Sequence, residues 1–249
     1  MRNYYIACDF GAESGRVMMG DLCRGKLVLS EVHRFANEPI RDKNGLYWDV
    51  PKLFQEMLAG LEKASQREDP IAGISCDSWG VDYLLFEQDG SLITPTHHYR
   101  DPRCEGGMKA FLAQMPWEAI YNETGIQKLP FNTLFQLAAE NPKRLRQAHR
   151  ILPIGDGFNF LLSNVARVEA SMASTTQLYN PVARAWSSKL LGALRLSPHL
   201  LPAVVPSGTV LGPIRSDFGR HGAFAETKVI ASCSHDTGAA VAALPVAGE

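Results

Sequence analysis

The feature that most narrows the fold is a short apolar run that ends in an aspartate and turns straight back. It reads Ile6-Ala7-Cys8-Asp9-Phe10-Gly11-Ala12-Glu13-Ser14-Gly15-Arg16, and apolar alternation resumes at Val17, Met18 and Met19. Alternation on both sides of a glycine-bearing turn predicts strand, turn, strand. Gly11 and Gly15 tolerate backbone angles that other residues resist and admit a ligand close to the main chain, so successive N–H groups can surround a phosphate. Asp9, at the strand end, stands where a phosphate-bound magnesium needs an oxygen ligand. The spacing is neither the Walker loop nor the dinucleotide fingerprint, since no Lys-Ser/Thr pair opens a helix and the three-glycine pattern is missing. An ordinary Asp-x-Gly hairpin without a ligand reads the same way from these residues alone.

Further along, residues 26–35 alternate apolar with polar after an Arg24-Gly25 turn, so three antiparallel strands in sequence are expected. Residues 45–50 read as a connection. Asp49 and Pro51 open a helix whose Leu53, Phe54, Met57, Leu58 and Leu61 share one face. Residues 71–76 form a buried-strand candidate that delivers Asp77-Ser78-Trp79-Gly80-Val81-Asp82 at its end. A second hairpin is expected next, with residues 83–86 as one arm and Asp89-Gly90 as the turn. Residues 102–141 are helical in pattern, punctuated by Pro116 and Gly125. Residues 150–154 are strand-like, and Gly155-Asp156-Gly157 leads into a short helix ending near Ser163-Asn164. The stretch 170–179 is polar beyond what a core helix needs. Residues 201–222 read as loops with one short hairpin around Val210-Leu211-Gly212.

Near the carboxyl end, Val229-Ile230-Ala231-Ser232 predicts a strand, and Cys233-Ser234-His235-Asp236-Thr237-Gly238 turns into an Ala-rich helix. A carboxylate at a helix N-terminus is favoured in its charged form, so Asp236 is expected to be available as a base. The competing reading, that Asp236 only caps the helix, weighs the same on local sequence.

Composition excludes several classes. With 249 residues, 45% apolar, 20% charged and a net charge of −1, the chain has a globular make-up with enough length for a full core. A balanced charge gives no general pull on nucleic acid or an anionic membrane, and no apolar run spans a bilayer. No nucleic-acid or membrane partner is expected, and the expected compartment is the cytoplasm. The five cysteines are scattered without a CxxC pair, which argues for reduced thiols and against zinc.

Three stretches together carry a resemblance: residues 9–16, Asp77-Ser78-Trp79-Gly80-Val81-Asp82, and Ser234-His235-Asp236-Thr237. Leu46-Tyr47-Trp48-Asp49-Val50, His98-Tyr99-Arg100-Asp101, residues 125–137 and Thr175-Thr176-Gln177-Leu178 support it. In order and wide spacing they resemble the amino-terminal half of the FGGY carbohydrate kinases, in the actin/hexokinase superfamily, over essentially the whole chain. The resemblance implies an α/β, ribonuclease-H-like or actin-like ATPase lobe: a mixed sheet of three antiparallel strands plus parallel strands, flanked by helices. Residues 1–249 would form the sugar-binding domain, with the nucleotide lobe lying in a carboxyl-terminal half that this chain does not contain.

The implied reaction moves the γ-phosphoryl group of ATP to a sugar hydroxyl with Mg²⁺ as cofactor, chemistry that rests on alignment and charge stabilisation while one carboxylate accepts a proton. Carried onto this sequence, Gly11, Ala12, Glu13, Ser14, Gly15 and Arg16 match the first phosphate-binding segment, with Asp9 near the metal, directly or through water. Gly80 matches a sugar-contacting turn. His235, Asp236 and Thr237 match the sugar-binding and catalytic turn, with Asp236 as proton acceptor. Asp82 and Arg100 are further sugar-contact candidates, read as exposed loop charges that can equally be structural. Trp79 is expected in the core, and His97 and His98 are read as ordinary loop residues. Glu13 departs from what a phosphate loop wants, because its charge repels the ligand unless it points away or reaches the metal.

The expected partners are the sugar, ATP and the second lobe of the same polypeptide, and one lobe alone is expected to turn over little or no substrate. Two other classes stay open on sequence. Asp9, Asp77 and Asp236 at strand ends could hold two metals for nuclease chemistry, or the lobe could be a non-catalytic sugar or nucleotide sensor. Within the family, a sister kinase for another sugar is the nearest alternative.

Overall fold

A computed structural model describes residues 3–66, 69–218 and 222–245. It opens with antiparallel strands β1 (Asn3–Phe10), β2 (Ser14–Cys23) and β3 (Lys26–Ala36). Along β1, Tyr4, Ile6, Cys8 and Phe10 are buried while Tyr5 and Ala7 are exposed, the period of two that a sheet covered on one face imposes. A short hairpin follows, β4 (Ile40–Asp42) and β5 (Gly45–Trp48), where the sequence suggested a plain connection. Helix α1 (Val50–Ser65) starts as expected: the Asp49 side chain accepts a hydrogen bond from Lys52 N (3.1 Å), with Pro51 in the first turn. Its Leu53, Met57 and Leu61 are buried, and Phe54 and Leu58 are half-buried against the same core. Strand β6 (Ile71–Ser78) then returns parallel to β1, in a register that sets Cys8 beside Cys76 and Asp9 beside Asp77.

Strand β7 (Tyr83–Phe86) is followed by β8 (Thr96–His97), which supplies the second partner of β5. The helical stretch resolves into α2 (Arg103–Leu112), α3 (Trp117–Thr124), α4 (Thr133–Ala138) and α5 (Pro142–Gln147). Pro116 precedes α3, and Gly125 closes it in the left-handed region at φ 66°. Strand β9 (Arg150–Pro153) pairs along all of β7. The expected hairpin forms as well: around the Asp89-Gly90 turn, Glu87 N donates to Ser91 O (2.9 Å), Ile93 N donates to Leu85 O (2.8 Å) and Leu92 bridges Phe86. Next come α6 (Ile154–Ser163), β10 (Val168–Glu169), α7 (Ala170–Thr175), β11 (Tyr179–Asn180), β12 (Ala185–Trp186) and α8 (Ser188–Leu194).

Within the expected loop of residues 201–222, β13 (Val204–Val205) runs parallel to β10, and β14 (Thr209–Pro213) pairs with β15 (Lys228–Ala231). The local hairpin expected around residue 211 does not form, and residues 219–221 lie outside the described residues. Helix α9 (Asp236–Ala242) ends the description of regular elements.

The main sheet has the order β14-β15-β6-β1-β2-β3, with β15, β6 and β1 mutually parallel and the other pairs antiparallel. One core lies between this sheet and helices α1 and α6, where Phe10 stacks on Phe158 at 4.1 Å between ring centres. Each large apolar side chain buried there contributes about 1.5–3 kcal/mol. A second cluster, around Phe111, Ile120, Leu134, Phe135, Leu190 and Leu191, joins the helices to β7 and β9.

Close packing of α1 rests on Gly60. A Cβ there would lie 2.4 Å from Val17 Cγ2 and 2.8 Å from Val17 Cβ, and a β-branched neighbour has no rotamer to retreat into. Alanine gains about 1 kcal/mol in helix propensity, whereas overpacking costs about 1–3 kcal/mol. Gly60→Ala should therefore lower the denaturation midpoint, and adding Val17→Ala should recover part of the loss. A midpoint at or above that of the parent chain would show that the helix gives way at no cost.

Candidate functional site

The carboxyl ends of three parallel strands meet on one edge of the main sheet, the edge where ligands bind in open α/β sheets. Asp9 closes β1, Asp77 and Ser78 close β6, and the turn after β15 leads to His235 and Asp236. Main-chain contacts hold the three ends together: Ser78 N donates to Ser234 O (2.9 Å), Ser78 bridges His235, and Trp79 N donates to Phe10 O (3.2 Å). Asp9 is paired with Arg16 across the β1–β2 register. Burial pushes the Asp77 carboxyl up to about 8, and the nearby charges of Asp9 and Asp236 push the same way. Three acids expected at separate strand ends are thus close enough to feel one another. Among the described residues no group of three or more His, Cys, Asp or Glu side chains is placed to hold a metal ion.

Between β1 and β2 the turn is tighter than the sequence suggests. Gly11 N donates to Ser14 O (2.9 Å), Asn37 Nδ2 to Gly11 O (2.9 Å) and Asn37 N to Glu13 O (3.0 Å). Neither glycine is needed for a positive φ. Gly15 is small because a Cβ there would meet the Phe35 ring at 2.2 Å, and at Gly11 it would meet Ser14 O at 3.0 Å. Glu13 is exposed and among the described residues bonds only through its main chain, which is how a carboxylate is tolerated in this turn.

The turn after β6 holds a strained residue. Val81 has φ 69°, a left-handed conformation that a β-branched residue rarely adopts and that costs about 1–3 kcal/mol. Three side chains from two helices secure it: Val81 N donates to Thr175 Oγ1 (3.3 Å), and Val81 O accepts from Thr133 Oγ1 (2.6 Å) and Gln136 Nε2 (3.2 Å). Gly80 faces Thr175 of α7, whose side-chain atoms would lie 3.1 Å from any Cβ.

Asp82 is not the exposed loop charge that the sequence suggests; it is 1% exposed. Its Oδ2 accepts from Trp48 Nε1 (2.6 Å), Trp79 Nε1 (3.0 Å) and Tyr99 N (3.2 Å), and its Oδ1 accepts from Gln136 Nε2 (2.7 Å). Burial raises its carboxyl to about 6, while these donors hold it down against a larger rise. Asp82 therefore anchors a buried aromatic wall that contains Trp48 and Trp79. Trp79 is buried as expected. Trp48 stacks on His98 at 3.9 Å between ring centres, so His98 is a packed wall residue rather than an ordinary loop residue. His97 likewise belongs to β8 and lies 3.8 Å from Glu140.

At the last turn, His235 is the residue before α9 and Asp236 its first residue. Asp236 Oδ1 accepts from Thr237 N and from Thr237 Oγ1 (3.1 Å), and His235 Nε2 lies 3.6 Å from it. Asp236 is thus not the cap residue, a position that His235 fills without a side-chain bond; its Oδ2 makes no hydrogen bond among the described residues, and the side chain is one-third exposed, at 33%. Arg100 stands apart from these groups, over the Tyr99 ring at 5.2 Å, with its main-chain N–H donated to His98 Nδ1 (2.9 Å).

Sequence reasoning passed over Glu169 and Ser171, which brace this turn. The available signal was the Glu169-Ala170-Ser171 order at the head of a polar helix. The sequence also places Asp77 only in the two-metal alternative and gives Trp48 and Gln136 no site role, because their roles come from partners far along the chain.

The site residues fit a nucleotide phosphate and magnesium in part. Ala12 N and Glu13 N have no partner among the described residues, and the Arg16 guanidinium of the following strand is held on Asp9. Asp9 supplies one carboxylate, which suits a magnesium held mainly by phosphate oxygens and water.

Residues 4–243 match the model of the FGGY family of carbohydrate kinases, N-terminal domain. The chain is 38% identical over 247 residues to a rhamnulokinase of Enterococcus faecalis, covering 98% of this chain and 50% of that protein. It is 38% identical over 246 residues to one of Pectobacterium carotovorum, covering 97% and 49%. The chain thus spans about half the length of the curated relatives it matches. Among solved structures it superposes on a gluconate kinase from Lactobacillus acidophilus with TM-score 0.84 at 22% identity, covering 95% of this chain and 48% of that one. The Plasmodium falciparum glycerol kinase with ADP gives 0.81 at 16%, covering 95% and 49%. The architecture is therefore the ribonuclease-H-like, actin-like ATPase lobe that the sequence leads one to expect, with its mixed sheet and flanking helices. No helix among the described residues is long and apolar enough to cross a membrane.

The histidine in the aromatic wall carries a pH signature. Burial, aided by the nearby Arg100 charge, lowers the His98 imidazole to about 4, against about 6.5 in an unfolded chain. The unfolded state then binds the extra proton first, so His98's contribution is intact above pH 6.5 and is lost as the pH falls towards 4. His98→Asn, whose amide oxygen can still accept from Arg100 N, should show a shallower fall in thermal stability between pH 7 and 4.5. Parallel curves for parent and variant would assign the acid sensitivity elsewhere.

Proposed function

The chain belongs to the FGGY family of carbohydrate kinases, and on that premise we propose that it is the sugar-binding lobe of an ATP-dependent kinase for L-rhamnulose. The reaction transfers the γ-phosphoryl group to O1 and gives L-rhamnulose 1-phosphate. The observation that carries this reading is Asp236, which stands at the meeting of three parallel strand ends with one carboxylate oxygen uncommitted. The 38% identity to rhamnulokinases favours this sugar over those of the sister kinases.

Asp236 Oδ2 receives the proton of the attacking sugar hydroxyl, while the Thr237 N–H and hydroxyl hold Oδ1 and fix the rotamer. Gly80, His235 and Thr237 border the sugar. Asp82 acts on it indirectly by holding Trp48 and Trp79, and Arg100, which lies over the Tyr99 ring, would have to swing inward to contact it. The turn from Gly11 to Arg16 receives phosphate through the Ala12 and Glu13 N–H groups and the Arg16 guanidinium. Asp9 would hold Mg²⁺ directly or through water, and the ion would supply charge neutralisation at the transferring phosphoryl group. The second lobe, in the half of the relatives that this chain does not span, would supply the adenosine pocket and close the cleft against water.

A complete two-lobed polypeptide containing this sequence should phosphorylate L-rhamnulose in preference to L-fuculose, D-xylulose and glycerol. Asp236→Asn should lower kcat by about 10²–10⁴-fold, and the 249-residue chain alone should show little or no turnover in a coupled assay. Calorimetric titration of that chain with the ketoses should give heat with L-rhamnulose that Asp236→Asn removes. Faster turnover of one of the other sugars by the complete polypeptide would overturn the substrate assignment, and an Asp236→Asn protein of undiminished kcat would overturn the role of Asp236.

A further inference from the structure

The turn that carries Asp236 is not held by its own helix alone. Glu169 is fully buried, at 0% exposure, and no ion pair among the described residues involves it. Its carboxylate is met instead by neutral donors from three segments. Oε2 accepts from Ser171 N (2.9 Å), Met172 N (3.4 Å), the Ser171 hydroxyl and Ser234 N (3.1 Å). Oε1 accepts from the Ser207 hydroxyl. The Ser171 hydroxyl that donates to Glu169 in turn accepts from His235 N (3.2 Å). Two successive amides of the 233–237 turn are therefore aimed at one buried side-chain network, and Ser234 O is held from the other side by Ser78 N (2.9 Å).

Next to this network lies Asp156, whose Oδ2 accepts from Glu169 N (3.1 Å). Burial, together with the Glu169 charge, pushes the Asp156 carboxyl well up, so the pair need not hold two charges side by side. A buried carboxylate leaves water only where hydrogen bonds replace its hydration, and bonds to a charged acceptor are stronger than neutral ones. The function proposed above uses Asp236 but gives no task to Glu169, and a single N-cap does not need five donors.

We propose that Glu169 is the positioning residue of the catalytic turn: its carboxylate holds Ser234 N directly and His235 N through the Ser171 hydroxyl, and so sets the main chain that presents Asp236 to the sugar. The inference about the turn stands on geometry. Its consequence for turnover rests on the kinase reading.

The relay predicts an asymmetric pattern that a general loss of stability does not produce. In the 249-residue chain, amide hydrogen exchange read residue by residue should show Ser234 N and His235 N both exchanging at least tenfold faster in Glu169→Ala. Only His235 N should do so in Ser171→Ala, because Ser234 keeps its bond to Glu169. Glu169→Gln, whose amide oxygen can take the place of Oε2 and whose NH₂ can face the Ser207 hydroxyl, should restore protection at both. Strand β15 at Val229 should keep its parent rate throughout. Unchanged exchange at Ser234 in Glu169→Ala, or Glu169→Gln behaving like Glu169→Ala, overturns the proposal; if Glu169→Ala fails to fold, the Ser171→Ala and Glu169→Gln patterns decide.

In the two-lobed polypeptide, Glu169→Ala should lower kcat tenfold or more with the KM for ATP unchanged, and Glu169→Gln should recover most of it. A kcat unaffected by Glu169→Ala overturns the catalytic consequence. Should the parent polypeptide phosphorylate no sugar at all, the functional reading fails while the exchange pattern still decides the positioning.

Discussion

Pairing β6 parallel to β1 cannot be done with a hairpin, because the chain must leave one end of the sheet and re-enter at the other. Much of the lobe follows from meeting that requirement. Helix α1 is the return path, and it must lie flat on the sheet to bury Leu53, Met57 and Leu61, which is why Gly60 sits against Val17. The parallel run β15-β6-β1 then brings three chain reversals to a single edge. Carboxylates that stand far apart in sequence at residues 9, 77 and 236 come into electrostatic contact only through this topology.

How far the sequence discloses this depends on the range of each interaction. The β1-β2-β3 meander, the Asp49 cap, the Gly125 terminus of α3 and the strand-to-turn passage at residues 229–236 are legible because turn residues and apolar periodicity are local signals. What was not legible has its cause elsewhere in the chain. Strand β5 pairs with the distant β8 as well as with β4, and β7 takes β9 as a partner in addition to its hairpin contacts with residues 92–93. Residues 204–205 and 209–213 become strands through partners at residues 168–169 and 228–231.

The site divides along the same line. The residues quoted from the strand-end motifs do gather at one edge, but their surroundings reverse some of the chemistry that their side chains suggest in isolation. Asp82, in a polar turn, has the look of an exposed charge, yet the Trp48 indole and the Gln136 amide that join its neighbour Trp79 in burying it lie far along the chain. Gly15 has the look of a conformational hinge and is instead a clearance for the Phe35 ring. Two segments noticed in sequence only as family likenesses, residues 125–137 and 175–178, turn out to bond to each other. Leu134 N donates to Thr176 O (3.1 Å) and Asn132 Nδ2 to Gln177 Oε1 (3.1 Å).

The strained Val81 has a consequence for how the lobe can change over evolutionary time. Its conformation is secured by Thr133, Gln136 and Thr175, side chains from two helices that are distant in sequence. Losing one holder shifts load to the other two, so substitutions at these positions should combine non-additively, as expected of residues that share a single partner. Drift at positions 133, 136 and 175 is then epistatic: an exchange tolerated at one narrows what the other two can accept, and the three should vary as a set rather than one at a time.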